Sequence, residues 1–169
     1  ALAAEVAAAL LTGQMTRFRM AETAQRLPVK SKNEVAQIIE QGIAHTRWPG
    51  RFEVVSEDPF LVIDGAHNED AARQLATTVE NCFTNTRLTY IIGVLADKEH
   101  EKMLRIMSPL AERIYTVTPD NARALDAGSL AKEAEKYCDQ VQPVDSIGEA
   151  LERAFSHGEP VLAFGSLSY

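Results

Sequence analysis

Alternation of short apolar runs with amphipathic helical patterns, beginning at Trp48, is the feature of this sequence that most constrains its fold. The run from Leu88 to Leu95 is almost continuously apolar, as expected of a strand that is covered on both faces. Strands followed by helices in this order predict an α/β fold, with a mostly parallel sheet, helices on both faces and right-handed crossovers. Such an arrangement is Rossmann-like. The predicted strands are 52–56, 60–63, 88–95, 114–117, 141–144 and 160–164.

Capping residues indicate where several helices begin. Asn68 can cap a helix whose first turn carries Glu69 and Asp70, where acidic side chains suit the helix dipole. Two Ser-x-x-Glu sequences, at 31–34 and 146–149, have the spacing of a capping box. Each of these three positions is therefore predicted to start a helix.

The composition of the chain changes at 48–51, Trp-Pro-Gly-Arg. Residues 1–46 carry helix-forming patterns and no strand candidate. We therefore predict a helical segment over 1–46 and a separate α/β domain over 47–169. Because the chain begins with Ala inside a helix-forming stretch, we expect it to be part of a longer protein.

Charge and hydropathy exclude several classes of function. The chain carries 17 Lys and Arg against 24 Asp and Glu, a net charge of −7, which argues against a nucleic-acid-binding module. The apolar opening from Ala1 to Leu11 is interrupted by Glu5 and is too short to span a bilayer, which takes about 20 residues. We therefore expect no nucleic acid and no membrane as a partner.

The two cysteines, Cys82 and Cys138, are too few for a disulfide scaffold and lack zinc-ligand spacing. Both lie in predicted helical patterns, so we expect them to be core or near-core thiols rather than nucleophiles. This cysteine usage suits a reducing compartment, and we predict a cytoplasmic protein.

Polar residues follow three of the predicted strands, at 64–68 (Asp-Gly-Ala-His-Asn), 96–98 (Ala-Asp-Lys) and 165–168 (Gly-Ser-Leu-Ser). In open α/β sheets, ligands bind at the carboxyl ends of the strands. A carboxylate beside the free N–H groups of a helix start can hold a sugar hydroxyl, a phosphate or an amino acid carboxylate. These three strand ends are therefore the candidate site.

Simpler interpretations of the same residues stay open. They are a plain turn at 64–65, a capping imidazole at His67, a solvated ion pair between Asp97 and Lys98, a surface salt bridge at Arg51 and loop hydroxyls at 166 and 168. Asp64 and His67 supply two metal ligands at most, so no metal site is predicted. A carboxylate at a strand end has no evident core function, and we expect replacement of Asp64 to leave Tm nearly unchanged.

Several common catalytic motifs are missing from the sequence. It contains no G-x-x-x-x-G-K-[ST] phosphate loop, no G-x-G-x-x-G after a strand and no G-x-S-x-G nucleophile elbow. The sequence as it stands therefore lacks a complete catalytic apparatus, and we expect this chain alone to be inactive.

Four motifs in order resemble one family. They are Trp-Pro-Gly-Arg-Phe-Glu at 48–53, Asp-Gly-Ala-His-Asn at 64–68, Gly-Val-Leu-Ala-Asp-Lys at 93–98 and Leu-Ala-Phe-Gly-Ser-Leu-Ser at 162–168. Together they are similar to the C-terminal part of the folylpolyglutamate synthase and dihydrofolate synthase family, within the Mur ligase superfamily. The resemblance covers the whole chain, with 1–46 similar to the end of the central ATPase domain.

The resemblance implies an ATP-dependent ligase that adds L-glutamate to folates through an acyl phosphate. It implies ATP and Mg²⁺, bound mainly by the enzyme's own N-terminal ATPase domain. Arg51 would contact the ATP phosphates, Asp64 the nucleotide ribose, and His67 the reacting phosphate or the incoming glutamate. Lys98 would join His67 as a catalytic candidate, and Lys98 and Ser166 would recognise glutamate.

Two other functions stay open on the sequence. One is a Mur-type peptide ligase domain, which shares the architecture and acts on cell-wall precursors. The other is an α/β module that binds a nucleotide without catalysis. The motifs at 48–51 and 164–168 favour the folate branch.

Overall fold

The computed structural model describes residues 41–42 and 48–166. The chain divides into two compact units, Ala1–Arg47 and Trp48–Tyr169, and the elements below belong to the second. The helices predicted within 1–46, the capping box at 31–34 and the last two residues of the 165–168 motif lie outside the described residues.

Strands and helices alternate through the second unit after an initial hairpin. In chain order the elements are β1 (Glu53–Glu57), β2 (Phe60–Asp64), α1 (Glu69–Cys82), β3 (Leu88–Gly93), α2 (His100–Met107), a 3-10 turn (Ser108–Leu110), β4 (Ala111–Thr116), α3 (Ala127–Ala134), β5 (Val141–Pro143), α4 (Ile147–Phe155) and β6 (Val161–Gly165). All six predicted strands are confirmed, and their ends differ from the prediction by at most three residues.

The strands form one six-stranded sheet in the order β1-β2-β6-β3-β4-β5. Strand β1 pairs antiparallel with β2, and the other four pairings are parallel. The predicted, mostly parallel sheet is therefore confirmed. Because β6 lies between β2 and β3, the carboxyl ends of these three strands are neighbours at one edge of the sheet.

Side chains of β3 alternate between the two faces of the sheet. Tyr90 and Ile92 join a core with buried residues of α1, α2 and α3, whereas Ile91 joins a second core with buried residues of α4. Three helices thus cover one face and one helix covers the other, so the prediction of helices on both faces is also confirmed. Short loops join the carboxyl ends of β2 and β3 to the starts of α1 and α2, over residues 65–68 and 94–99.

Side-chain caps begin the helices as predicted, with one difference. The Asn68 side chain accepts a hydrogen bond from the Ala71 N–H at 2.9 Å, and Ser146 Oγ accepts one from the Glu149 N–H at 3.1 Å. The Glu149 carboxylate accepts from the N–H of Asp145 at 3.1 Å, one residue before the expected cap. The hydrogen bonds at the start of α4 therefore reach one residue further back than those of a standard capping box.

The two cysteines differ in exposure. Cys138 is buried, as predicted, and burial raises the pKa of its thiol. Cys82 is exposed, so the prediction of a core thiol is wrong there. It is the last residue of α1, and the next residue, Phe83, packs on the core four positions after the buried Val79. Among the described residues, no helix is long and apolar enough to cross a membrane.

Candidate functional site

A tight turn before β1 carries Arg51. The Arg51 N–H donates to the Trp48 carbonyl oxygen at 3.1 Å, which closes the turn. Gly50 has φ +69, a conformation that glycine adopts without steric cost, and its N–H donates to Glu53 Oε2 at 2.8 Å. The Pro-Gly sequence therefore puts Arg51 at the tip of a turn that the next strand's own glutamate stabilises.

Asp64, the last residue of β2, fastens this turn to the sheet. Its Oδ2 accepts from the Phe52 N–H and its Oδ1 from the Ala66 N–H, both at 2.8 Å. The Gly65 N–H donates to the Gly50 carbonyl oxygen, also at 2.8 Å. Asp64 thus has a structural role that the sequence did not indicate, and the expectation of an unchanged Tm on its replacement is abandoned.

Phe52 combines an unusual backbone with an apolar anchor. Its φ is +45, in the left-handed region that non-glycine residues seldom occupy. Its ring packs against Phe83 at the end of α1, with centroids 6.5 Å apart, and Phe60 of β2 packs edge-on against the same ring at 5.9 Å. These contacts hold the side chain of the residue that directly follows Arg51.

The imidazole of His67 is oriented by the backbone. Its Nδ1 lies 2.8 Å from the carbonyl oxygen of Gly65. A carbonyl oxygen only accepts, so Nδ1 carries a proton, and in the neutral ring Nε2 keeps its lone pair. A neutral His67 therefore offers a hydrogen-bond acceptor at Nε2, and a protonated one offers a second donor there.

Three of the predicted site residues, Arg51, Asp64 and His67, line one cleft of about 250 Å³. One wall of the cleft is a face of α1, formed by residues 71, 74, 75 and 78 at helical spacing. The sequence prediction missed Phe52, Gln74 and Thr78. Helical spacing from the Asn68 cap would have placed 74 and 78 on this face, but nothing local indicated that the face meets the Arg51 turn.

The charge of Arg51 has no partner among the described residues. Its guanidinium is exposed and makes no hydrogen bond or ion pair with any residue that the structure describes. Glu69, in the first turn of α1, has cationic partners of its own. Hydrogen bonds from Arg73 and Lys102 lower the pKa of that carboxyl. A cation is thus left available at the cleft beside a carboxylate, Asp64, whose oxygens already hold backbone N–H groups.

Ser166 and Lys98 do not line this cleft. Ser166 is buried after β6, where its N–H donates to the Gly93 carbonyl oxygen at 2.8 Å. Lys98 lies in a turn after β3, with its N–H bonded to the Leu95 carbonyl oxygen at 3.2 Å. The structure therefore brings together three of the five predicted site residues and leaves two outside the cleft.

Asp97 does not pair with Lys98, so that simpler interpretation is wrong. Its Oδ2 instead lies 2.9 Å from the Arg123 guanidinium. The loop bearing Arg123 runs alongside the end of β3, where its carbonyl oxygen accepts from the Ala96 N–H at 2.8 Å. The pair therefore joins two loops at the carboxyl edge of the sheet.

Gly165, the last residue of β6, is required by close packing. It has φ +126, and a Cβ built there would overlap the backbone carbonyl of Gly93, its partner in the β3–β6 register. This contact brings the two strands together immediately before the site loops. Within residues 41–42 and 48–166, no group of three or more His, Cys, Asp or Glu side chains could hold a metal ion.

Comparison with known proteins adds a family to this geometry. Residues 50–167 match the family model described as "Mur ligase, glutamate ligase domain". The chain is 33% identical over 165 residues to a folylpolyglutamate synthase of Lacticaseibacillus casei, covering 93% of this chain and 37% of that protein. It spans only 16–37% of the length of the first curated relatives that it matches.

Solved structures agree with the sequence comparison. The folylpolyglutamate synthase of Mycobacterium tuberculosis, complexed with ADP and AMPPCP, superimposes with a TM-score of 0.70 at 27% identity, over 77% of this chain and 32% of that one. A bifunctional folylpolyglutamate and dihydrofolate synthase of Yersinia pestis, complexed with AMPPNP and a Mn ion, gives 0.65 at 25% identity, over 82% and 32%. The resemblance drawn from the four motifs is confirmed.

Proposed function

The chain belongs to the Mur ligase family as a glutamate ligase domain, and we propose that it is the C-terminal domain of an ATP-dependent ligase that adds L-glutamate to folates. The observation that carries the proposal is the cleft in which Arg51, Asp64 and His67 meet at the carboxyl end of β2. Relatives that are folylpolyglutamate synthases support the choice of substrate.

The proposed reaction has two steps. The γ-phosphoryl group of ATP is transferred to a carboxylate oxygen of the folate, or of dihydropteroate, which yields an acyl phosphate and ADP. The uncharged amine of glutamate then attacks the acyl carbon, the C–O bond to phosphate breaks, and an amide and inorganic phosphate result. The amine loses one proton in this step. Negative charge develops on the transferred phosphoryl group, so a fixed cation and a fixed amine are the main requirements.

Arg51 meets the first requirement. A guanidinium donates two parallel hydrogen bonds to phosphate oxygens, and this one has no competing partner among the described residues. We assign it to the ATP phosphates. The two oxygens of Asp64 each use one hydrogen bond on the backbone, and a carboxylate oxygen can accept a second. We therefore assign Asp64 to the ribose hydroxyls.

His67 is assigned to the amine or the reacting phosphate. With Nδ1 donating to Gly65, the neutral ring can accept a proton from the attacking amine at Nε2. The same nitrogen, when protonated, can donate to a phosphate oxygen. Because one position serves either need, His67 stays a catalytic and a substrate-binding candidate.

Lys98 and Ser166 are proposed for glutamate recognition, with Lys98 also retained as a catalytic candidate. Both lie just beyond neighbouring strands, β3 and β6, on the same edge of the sheet as Asp64. The Lys98 ammonium makes no hydrogen bond with a described residue and suits a carboxylate. Neither residue lines the Arg51 cleft, which fits recognition of the amino acid better than contact with the nucleotide.

Nucleotide and metal binding call for a second domain. We propose that Mg²⁺ and most of the ATP contacts belong to a preceding ATPase domain, because the described residues form no metal cluster and the sequence has no phosphate loop. Residues 1–46 would be the end of that domain and 47–169 the glutamate ligase domain. We propose a cytoplasmic enzyme, since folate and ATP are soluble substrates.

The test is a ligation assay on the full-length protein with ATP, Mg²⁺ and glutamate, using tetrahydrofolate and dihydropteroate separately. Glutamate incorporation is expected with at least one of them. Arg51→Ala should raise the KM for ATP and lower kcat, with a total loss of about 10²–10³-fold. Arg105→Ala, an exposed arginine on α2, is the matched control and should behave as wild type.

Other outcomes would point to the alternatives. Ligation only with cell-wall precursors would favour a Mur-type peptide ligase. Nucleotide binding without any ligation would favour a binding module. Equal kinetics for Arg51→Ala and wild type would remove Arg51 from the mechanism.

A further inference from the structure

Two carboxylates accept hydrogen bonds from the backbone on either side of Arg51. Glu53 Oε2 accepts from the N–H of Gly50, and Asp64 Oδ2 accepts from the N–H of Phe52, each at 2.8 Å. The residue before Arg51 and the residue after it are therefore both held by charged acceptors. Hydrogen bonds to an ionised acceptor are stronger than those between neutral groups.

The backbone that these carboxylates hold is unusual. Both Gly50, at φ +69, and Phe52, at φ +45, lie in the left-handed region. A bulky residue is rare there and stays there only where surrounding contacts fix it. Such backbone strain gathers at functional sites, where it is part of the preorganisation.

Neither carboxylate neutralises Arg51. Glu53 is two residues from Arg51, and Asp64 is hydrogen-bonded to the turn. Glu53 Oε2 and both oxygens of Asp64 accept from backbone N–H groups, and neither side chain forms an ion pair with Arg51. The guanidinium forms no ion pair with a described residue and is exposed. Glu53 itself does not line the cleft. The arrangement thus fixes the Cα of Arg51 while leaving its charge free.

We propose that Glu53 is a positioning residue for Arg51: with Asp64, it locks the turn so that the guanidinium is presented to the ATP phosphates. This inference rests on the function proposed above. A guanidinium on a fixed backbone loses less freedom on binding than one on a mobile loop, and a misplacement of about 1 Å can lower the rate about 100-fold.

The experiment measures kcat and KM for ATP on the full-length protein. Glu53→Ala is expected to lower kcat/KM by up to about 100-fold. Glu53→Gln should keep most of the activity, because its amide oxygen can accept the same N–H. Glu53→Asp keeps the charge but is one methylene too short, so it should resemble Glu53→Ala. Glu57→Ala, an exposed glutamate on the same strand, is the matched control.

A double-variant cycle separates positioning from a general structural role. If Glu53 acts through Arg51, adding Glu53→Ala to Arg51→Ala should change kcat/KM by no more than about twofold. An equal loss with and without Arg51 would overturn the proposal. A Glu53→Gln variant as impaired as Glu53→Ala would also overturn it, since the charge and not the hydrogen bond would then be needed.

Hydrogen exchange provides a readout that does not depend on turnover. In Glu53→Ala and Glu53→Asp, the Gly50 amide should lose protection while the amides of β3 keep theirs. Unchanged protection at Gly50 would overturn the proposal. If the wild-type protein performs no ligation, the proposed function fails, yet this measurement still decides whether Glu53 holds the turn.

Discussion

Replacement of Asp64 should destabilise the α/β unit measurably. The carboxylate accepts two backbone hydrogen bonds at 2.8 Å, one from Phe52 and one from Ala66. A hydrogen bond to a charged group contributes about 1.5–3 kcal/mol, so two would contribute roughly 3–6 kcal/mol. Because Asp64 and Phe52 are only half-buried, water replaces some of the loss, and we expect Asp64→Ala to cost about 2–4 kcal/mol.

Urea unfolding followed by circular dichroism measures this cost. In a thermal melt followed by the same signal, the expected fall in Tm for a unit of this size is roughly 10 °C. Asp64→Asn keeps one acceptor oxygen and should cost about half as much as Asp64→Ala. Asp120→Ala is the control, since Asp120 is an exposed carboxylate in the loop after β4 that bonds to no described residue, and its effect should stay within about 0.5 kcal/mol.

Two results would refute the reasoning. One is an Asp64→Ala variant that unfolds at the same urea concentration as Asp120→Ala. The other is a Tm loss that is equally large for Asp64→Asn and Asp64→Ala, because the retained oxygen would then be contributing nothing. Either would mean that the turn is held by its other contacts, the hydrogen bonds of Gly50 and the aromatic packing of Phe52, without a contribution from Asp64.

Three further outcomes are expected. Gly165→Ala should prevent folding or lower Tm severely, because the new Cβ overlaps the Gly93 carbonyl and φ is +126, and a normal melting curve would contradict this. Tyr90→Phe should raise the free energy of unfolding by about 1–3 kcal/mol, since the buried Tyr90 hydroxyl has no hydrogen-bond partner among the described residues, and urea titration checks it. Burial raises the pKa of Glu159, but hydrogen bonds from Arg113 and Thr89 outweigh burial, so the pKa is lowered. Glu159→Gln should therefore lower the free energy of unfolding at pH 7. The difference from wild type should shrink as the pH falls through the Glu159 pKa, which lies below the ordinary value of about 4.3.

The elements that sequence reasoning predicted well depend on local signals. The almost continuously apolar β3 strand, the Asn68 cap and the Ser146 cap are each defined within a few residues, and all are confirmed. The proximity of Asp64 and His67 could also be predicted, because both lie at the carboxyl end of one strand. Arg51 joins them because β1 returns antiparallel to β2 and brings the turn before β1 to the end of β2.

The features that were missed depend on residues distant in sequence. Asp97 pairs with Arg123, which is on another loop, rather than with its neighbour Lys98. Cys82 lies in the helical pattern of α1 but is exposed, whereas the adjacent Phe83 packs against Phe52 and Phe60, which lie more than 20 residues earlier in the sequence. Periodicity predicts neither the Asp97–Arg123 pair nor the exposure of Cys82, because it considers each element alone.

From the sequence, a plain turn and a binding site at Asp64 stood as alternatives, but the structure allows Asp64 to serve both. Each of its oxygens holds one backbone N–H, which fastens the Arg51 turn, and each keeps the capacity for a second hydrogen bond. Holding the turn and binding a hydroxyl therefore do not compete for the same lone pair. A ligand that contacts both Asp64 and Arg51 would bridge the turn and the strand end that holds it. Its binding should therefore stabilise the turn, by the linkage that any ligand has with the state that it prefers.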